Sequence, residues 1–297
     1  MRCPPSRFPS LSLSPFAGRL LLGLVALLGV VPSGHAAGQA VMIQISPKSG
    51  DTLEMRMEQR VEVTGTARGA DADSAMAAVT TMIVHSRTIV QRADATGTTV
   101  LTITDSVTLS SNPPQLPLEA EAELERGLRG QQVRMRIAHD GAAEVLPGTP
   151  SVDPEIQAFV SQIPAALPSR RVGVGERWTH TMQLPAPGSP GLVGSVSLKT
   201  TFRLDSLGRN GRMAFISMRG ELSHADEPDE LPGGALHRTM TGSLEGYLIV
   251  DRERGWLTQS MSTLMVHSVI EPPKATGAPP MDLRMRITQR IRTLDKR

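Results

Sequence analysis

Leu53-Glu54-Met55-Arg56-Met57-Glu58-Gln59-Arg60-Val61-Glu62-Val63 is the stretch whose reading decides the fold. Leu53, Met55, Met57, Val61 and Val63 share one side of a period-2 repeat, and Glu54, Arg56, Glu58, Arg60 and Glu62 share the other. That alternation belongs to a strand with one buried and one wet face; a helix would spread the same charges around its circumference. Near the C-terminus Leu283, Met285, Ile287 and Ile291 alternate in the same way with Arg284, Arg286, Thr288, Arg290 and Arg292. Were these two strands to lie side by side, glutamates would face arginines. Each exposed pair would contribute only about 0.2–1 kcal/mol, so its value would be in register more than in stability.

Working outward from these two segments, further strands are predicted at about 76–92, 98–110, 131–138, 177–184, 194–206, 212–223, 239–251 and 256–270. Between them stand Asp94 to Gly97, Asp140-Gly141, Asn210-Gly211 and Asp251 to Gly255, residues that tolerate positive φ and make tight turns. Short turns make sequential strands antiparallel neighbours. The fold class is therefore mainly β: a long antiparallel meander forming a strongly bent sheet or partial barrel. Two short amphipathic helices interrupt it. One is expected over 117–129, rich in Leu, Ala and Glu. The other runs from Asp153 to Leu167, capped by Asp153, with Pro154 in its first turn and Ile156, Phe159, Val160 and Ile163 on one face. These four are the candidate binding residues, on a helix expected to cover the concave side of the sheet. The organisation read from the chain is a signal peptide at 1–37, an N-terminal β-half at 41–150, a helix and linker at 151–170, and a C-terminal β-half at 171–297.

The first segment carries Arg2, Arg7 and Arg19, an apolar run from Leu20 to Val31, and small residues around Ala36 and Ala37, the three parts of a cleavable secretory signal. The run is too short for the roughly 20 residues of a membrane-spanning helix. The expectation is a periplasmic or secreted protein with no permanent membrane span. Losing those three arginines turns the formal net charge of +2 into −1, which leaves no general attraction to nucleic acid.

The single cysteine, Cys3, precedes the apolar run, so thiol catalysis and thiolate metal sites are excluded after cleavage. Gly242-Ser243-Leu244-Glu245-Gly246 matches the spacing of a nucleophile elbow in part only, and it falls within a predicted strand instead of at a strand-to-helix turn. His85, His139, His180, His224, His237 and His267 show neither His-x-His nor an i, i+4 pair, and no metal site or cofactor is assigned. Sugar platforms are scarce, with two Trp, one Tyr and five Phe in the chain. No catalytic group can be named. Methionine is abundant instead, fifteen residues, many at buried-face positions, and its flexible thioether adapts to irregular apolar surfaces.

Val174-Gly175-Glu176-Arg177-Trp178, together with Gly246 to Asp251 and Gly255-Trp256-Leu257, resembles a group of exported bacterial β-rich proteins of unknown function, over the C-terminal half only. In architecture the chain is similar to periplasmic half-barrel carriers of the LolA and RseB kind. That resemblance implies an acyl chain or an acylated protein as ligand. The reading of function is thus a non-enzymatic, exported binding protein for an apolar or acylated ligand in the cell envelope, a hydrophobic small molecule or lipid. The alternatives are a structural or protein-interaction module with a filled core and an envelope protein partner, or a hydrolase with an unrecognised site.

Overall fold

The computed structural model describes residues 40–67, 76–114, 118–147, 166–185, 195–224, 229–231, 234–271 and 279–294. All belong to one compact unit, Ala37–Arg297. The elements are β1 (Thr52–Ala67), β2 (Met76–Asp94), β3 (Gly97–Asn112), α1 (Leu118–Leu128), β4 (Gln132–Ile137), β5 (Ala143–Val145), β6 (Arg177–Pro185), β7 (Ser195–Gly208), β8 (Met213–His224), β9 (Asp229–Leu231), β10 (Gly234–Asp251), β11 (Trp256–Glu271) and β12 (Met281–Leu294). The strands form one antiparallel sheet in the order β5-β4-β3-β2-β1-β12-β11-β10-β8-β7-β6, with β9 pairing β10 off this path. The fold is mainly β and the sheet is open. Two meanders run outward from a central seam where β1 and β12 pair, the two strands whose alternation is plainest in the sequence.

Among the described residues there is one helix, α1, where two were expected. The segment read as a second helix, 153–167, falls almost wholly on residues outside the description, and with it Ile156, Phe159, Val160 and Ile163. Its last residue, Leu167, is described and is not helical. The helix over 117–129 is present as α1, and its position explains it. β4 pairs only residues Thr98 to Ile103 of β3, so the rest of β3 would be a bare edge. There Glu125 of α1 accepts the Leu109 N–H at 2.7 Å and Glu121 accepts the Ser111 hydroxyl at 2.8 Å. A covered edge cannot template pairing with another chain.

Register assigns the faces. On one face lie Leu53 to Val63 in odd-numbered steps, Met82, Val84 and Val90 of β2, Met285, Ile287 and Ile291 of β12, and Ala214, Ile216 and Met218 of β8. This inner face carries the core. Leu53, Val90 and Val100 from one wing join Phe202, Leu204 and Ile216 from the other in a single buried cluster. In a flat sheet β3 and β7 would be seven strand spacings apart, roughly 34 Å. The sheet therefore curls. Bulges at His85/Ser86, Leu204/Ser206 and Ile249/Val250 add local bend and twist. At β10 a side chain on Gly246 would collide with the carbonyl oxygen of Met261 on β11, so the tight coiling there requires glycine.

Two segments outside the strands clasp the curled sheet at its turn end. Val41 to Pro47 threads between the wings as a strap, bridging Val172 through paired backbone hydrogen bonds of 2.9 Å and donating Ile45 N–H to His139 O and Ser46 N–H to Gly255 O. Ile43 and Val172 are fully buried and Leu167 nearly so. Residues read as a linker thus supply core. Gly255, at φ 60°, has the Ser46 backbone where a Cβ would sit, so the strap docks against a turn that only glycine can make.

Candidate functional site

Val174-Gly175-Glu176-Arg177-Trp178 is structural in its detail. Gly175 takes φ 88°, and Glu176 accepts the Gly173 N–H at 2.8 Å and pairs with Arg170. Those contacts, the Gly173 bond foremost, hold its carboxyl below the ordinary range. Trp178 then stacks on Phe202 at 5.8 Å between centroids and donates its indole N–H to Ala166 O at 3.1 Å. The second motif ends on Asp251, which is buried. Burial pushes its carboxyl up, but Arg212 at 2.6 and 3.0 Å and the backbone N–H groups of Arg254 and Glu253 together bring it below the usual value. Both motifs build turns, and neither offers a reacting group.

The histidines are dispersed. His139 places its two ring nitrogens 2.9 Å from Ile45 O and 3.1 Å from Ala95 O, tying the strap to the β2–β3 turn. His267 meets Asp282 at 3.0 Å on the opposite, outer face. Among the described residues no three His, Cys, Asp or Glu side chains group as metal ligands.

What the sheet does assemble is an apolar receptor. At the strapped end of the inner face lies a cavity of about 270 Å³, walled by Ile45 of the strap, Met55 of β1, Met135 and Ile137 of β4, Leu248 of β10, Trp256 and Leu257 of β11, and Ala166 and Leu167. Five strands, β1, β4, β5, β10 and β11, meet the strap, Ala166 and Leu167 there. No residue in its wall carries a formal charge. Trp256 Nε1 is buried there without a hydrogen-bond partner among the described residues.

Along the seam the same face continues uncovered by the described residues. Met57, Val61 and Val63 of β1, Met82 and Val84 of β2, Leu264 of β11, and Ile287 and Ile291 of β12 are all half-buried, a state that strands packed on both sides do not show. Polar residues interrupt it: Gln59 and Gln289 stand opposite each other in the β1–β12 register, Ser262 of β11 lies beside Gln289, and Ser86 and Thr80 of β2 share the face; Gln289 reaches Met57 Sδ at 3.6 Å. From β1 to β3, and over β11 and β12, the inner face holds no Asp, Glu, Lys or Arg.

The residues put forward from the sequence, Ile156, Phe159, Val160 and Ile163, lie outside the described residues, so the structure does not place them. The residues it does bring together were not singled out. Their signal was partly there, since Val41, Ile43 and Ile45 alternate, but the wall joins positions some 200 residues apart, which no local pattern reveals.

Fold and site define a single-sheet antiparallel β-protein with a mostly apolar inner face, clasped at one end, whose one formally charged side chain among the described strand residues is the buried Arg238 of β10. No family model matches the chain, and no curated protein matches it. Among solved structures, an outer membrane channel from Pseudomonas putida F1 is similar over 84% of this chain and 98% of that one, at 10% identity and a TM-score of 0.20, a value at which no shared fold is implied. No helix among the described residues is long and apolar enough to cross a membrane.

Proposed function

We propose that the protein is an exported, non-enzymatic binding protein for an apolar or acylated ligand of the cell envelope, held on the inner face of the sheet with its end in the strapped cavity. One observation carries this reading: an inner face that carries no formal charge over β1 to β3, β11 and β12, is half-buried along the seam, and opens a cavity of about 270 Å³ walled by apolar side chains at its clasped end, with the buried Arg238 of β10 lying at the far end of the face. Each methylene moved from water onto such a face gains roughly 0.8 kcal/mol, so a linear chain would be drawn in by length alone. The methionines suit this role because they repack around chains of differing shape. The leader at 1–37 supports a periplasmic or secreted location. The half-barrel carriers that the sequence pattern resembles take ligands of this class.

The test pairs binding with filling. Native mass spectrometry of the freshly purified protein should show bound lipid, and an environment-sensitive fatty-acid probe should be taken up in competition with it. Ala166→Leu and Ala143→Leu point additional carbon into the cavity wall. They are expected to raise thermal stability slightly, by about 0.5–2 kcal/mol for a filled void, and to reduce probe uptake at least tenfold. A wild-type protein that carries no lipid and takes up no probe would instead be a structural or partner-binding module of the envelope.

A further inference from the structure

The outer face of the seam shows an arrangement that the alternating charges do not foretell. In the β1–β12 register Glu58 stands opposite Arg290 and Glu62 opposite Arg286, so cross-strand ion pairs are the obvious expectation. The carboxylates turn the other way. Glu58 accepts from Arg56 at 3.0 Å and Glu62 from Arg60 at 2.7 Å, both along their own strand. The hydrogen bond from Arg60 is the first cause holding the Glu62 carboxyl below its ordinary value, with Arg286 acting on it only through space.

β12 is consequently left with guanidinium groups that the carboxylates of β1 do not occupy. Arg286 and Arg292 make no ion pair among the described residues, Arg290 reaches only Met261 Sδ at 4.0 Å, and Arg284 stands 3.7 Å from Asp282, whose other oxygen is held by His267 at 3.0 Å. Arg284 and Arg286 rim a groove of about 610 Å³ on this face. Hydroxyls of Thr64 and Ser243 and the exposed side chain of Met265 complete the part of it that concerns recognition. Its volume is within the usual range for a ligand site.

We propose that this groove binds a phosphate ester, with Arg284 and Arg286 as paired donors, the hydroxyls as secondary donors, and Met265 against the apolar part of the ligand. Arginine is suited to this because its planar fork meets two phosphate oxygens at once and stays charged at every relevant pH. Glu62 lines the same groove, but its charge is already matched by Arg60, so it sets a boundary to the anion without cancelling Arg286, while Arg284 meets Asp282 through Nε alone at 3.7 Å and keeps the rest of its fork for the ligand. Arg290 and Arg292 continue the cationic row toward the strapped end and would favour a ligand presented on a surface. The site is on the opposite face from the apolar receptor and does not depend on that reading.

The experiment is flotation of the purified exported protein with vesicles of equal parts phosphatidylglycerol and phosphatidylcholine, and with phosphatidylcholine alone, alongside calorimetry with glycerol 3-phosphate. Binding to the mixed vesicles at low salt, lost in high salt, identifies a lipid head group as the source. Heat with glycerol 3-phosphate and no flotation identifies a soluble ester in the same site. In either case Arg284→Gln/Arg286→Gln should weaken binding about 25-fold, at roughly fivefold for each arginine near an anionic surface. The Arg→Lys pair, which keeps charge and loses the fork, should fall between. Arg203→Gln/Arg219→Gln on the far wing should change nothing. Absence of both kinds of binding, or equal binding by the Gln pair, overturns the proposal. So does flotation with phosphatidylcholine alone that ignores salt and the Gln pair, which is adsorption through the apolar face; failure of the fatty-acid probe, by contrast, would sink only the inner-face reading.

Discussion

The strapped end and the seam are two regions of one inner face, built from the same kinds of residue and buried to very different degrees. Val100, Ile216 and Val250 at the strapped end are 0%, 1% and 0% exposed. Val61, Val84 and Ile287, a few steps along the same or neighbouring strands and on the same face, are half-buried. The alternation that makes the strands does not distinguish them. The difference is made by what lies over the sheet: the strap from Val41 to Pro47 and the stretch from Ala166 to Val172 close one end, and their backbone hydrogen bonds to His139, Asp140 and Gly255 keep them there. Hydrophobic pattern makes a face, and long-range segments decide whether it becomes core or receptor.

The largest effect that could break this comparison comes from matched truncations. Ile216→Ala at the strapped end should cost roughly 2–5 kcal/mol, since the packed cluster cannot collapse around the void. Ile287→Ala removes the same atoms from a half-buried site and should cost only about 1 kcal/mol, three carbons at roughly 0.8 kcal/mol each and half exposed. Urea midpoints of the two variants measure it. Equal losses would mean that the seam is as well packed as the clasped end, and the receptor reading would lose its footing.

Asp251 sharpens the same contrast, because it fixes the turn on which the strap rests. Arg252, next in the chain, donates to Met42 O at 3.1 Å and to Gly211 O, holding the strap from below. Asp251→Ala should cost toward the lower end of the roughly 3–5 kcal/mol seen when one partner of a buried pair is removed, since Arg212 is partly exposed and can turn to water. Its pH signature has a definite sign. The folded carboxyl lies below its unfolded value, so the folded state gains from ionisation above the unfolded pKa of about 3.9 and loses that gain as pH falls through the folded value. Asp251→Asn should therefore flatten part of the loss of stability on acidification below about pH 4, read by thermal melts across pH. An unchanged acid limb would show that the turn is held by backbone geometry alone.

Sequence exposed the sheet well and the site poorly, for one physical reason. Met55-Arg56-Met57 and Met285-Arg286-Ile287 state their face locally, because period-2 alternation is a property of neighbouring residues, and the opposite charges of β1 and β12 allow a pairing that the register bears out. The side-chain partners did not follow, since a glutamate between two arginines on its own strand has a nearer choice than the one across the sheet. The three-residue strands β5 and β9 are too short to show a period. The strap has an alternating Val41, Ile43 and Ile45 but bridges only Val172 outside the sheet, so nothing local marks it as structural. The cavity wall, drawing on Ile45, Met135, Leu167 and Trp256, is a product of curling and has no sequence pattern at all.

The smallest expected effect tests whether the seam's charges do anything for register. Arg56 and Arg292 are direct cross-strand partners, a like-charge pair near the strapped end of a seam that elsewhere sets Glu58 and Glu62 opposite arginines, tolerated because Arg56 leans on Glu58 and both guanidiniums reach water. Arg292→Glu would set opposite charges at that position and give Arg56 a second carboxylate. The exposed geometry limits the gain to about 0.2–1 kcal/mol, because long side chains must be ordered to make the pair and water screens it. Salt separates the electrostatic part from any change in packing. At 1 M ionic strength the screening length falls to about 3 Å, so the gain in urea midpoint should be present in dilute buffer and vanish in concentrated salt. A gain that survives high salt would come from the shorter side chain packing on the strand. No gain at either ionic strength would mean that β1 and β12 are held together by the inner face alone, through Met57 against Ile291 and Val61 against Ile287, with the outer charges free for another task.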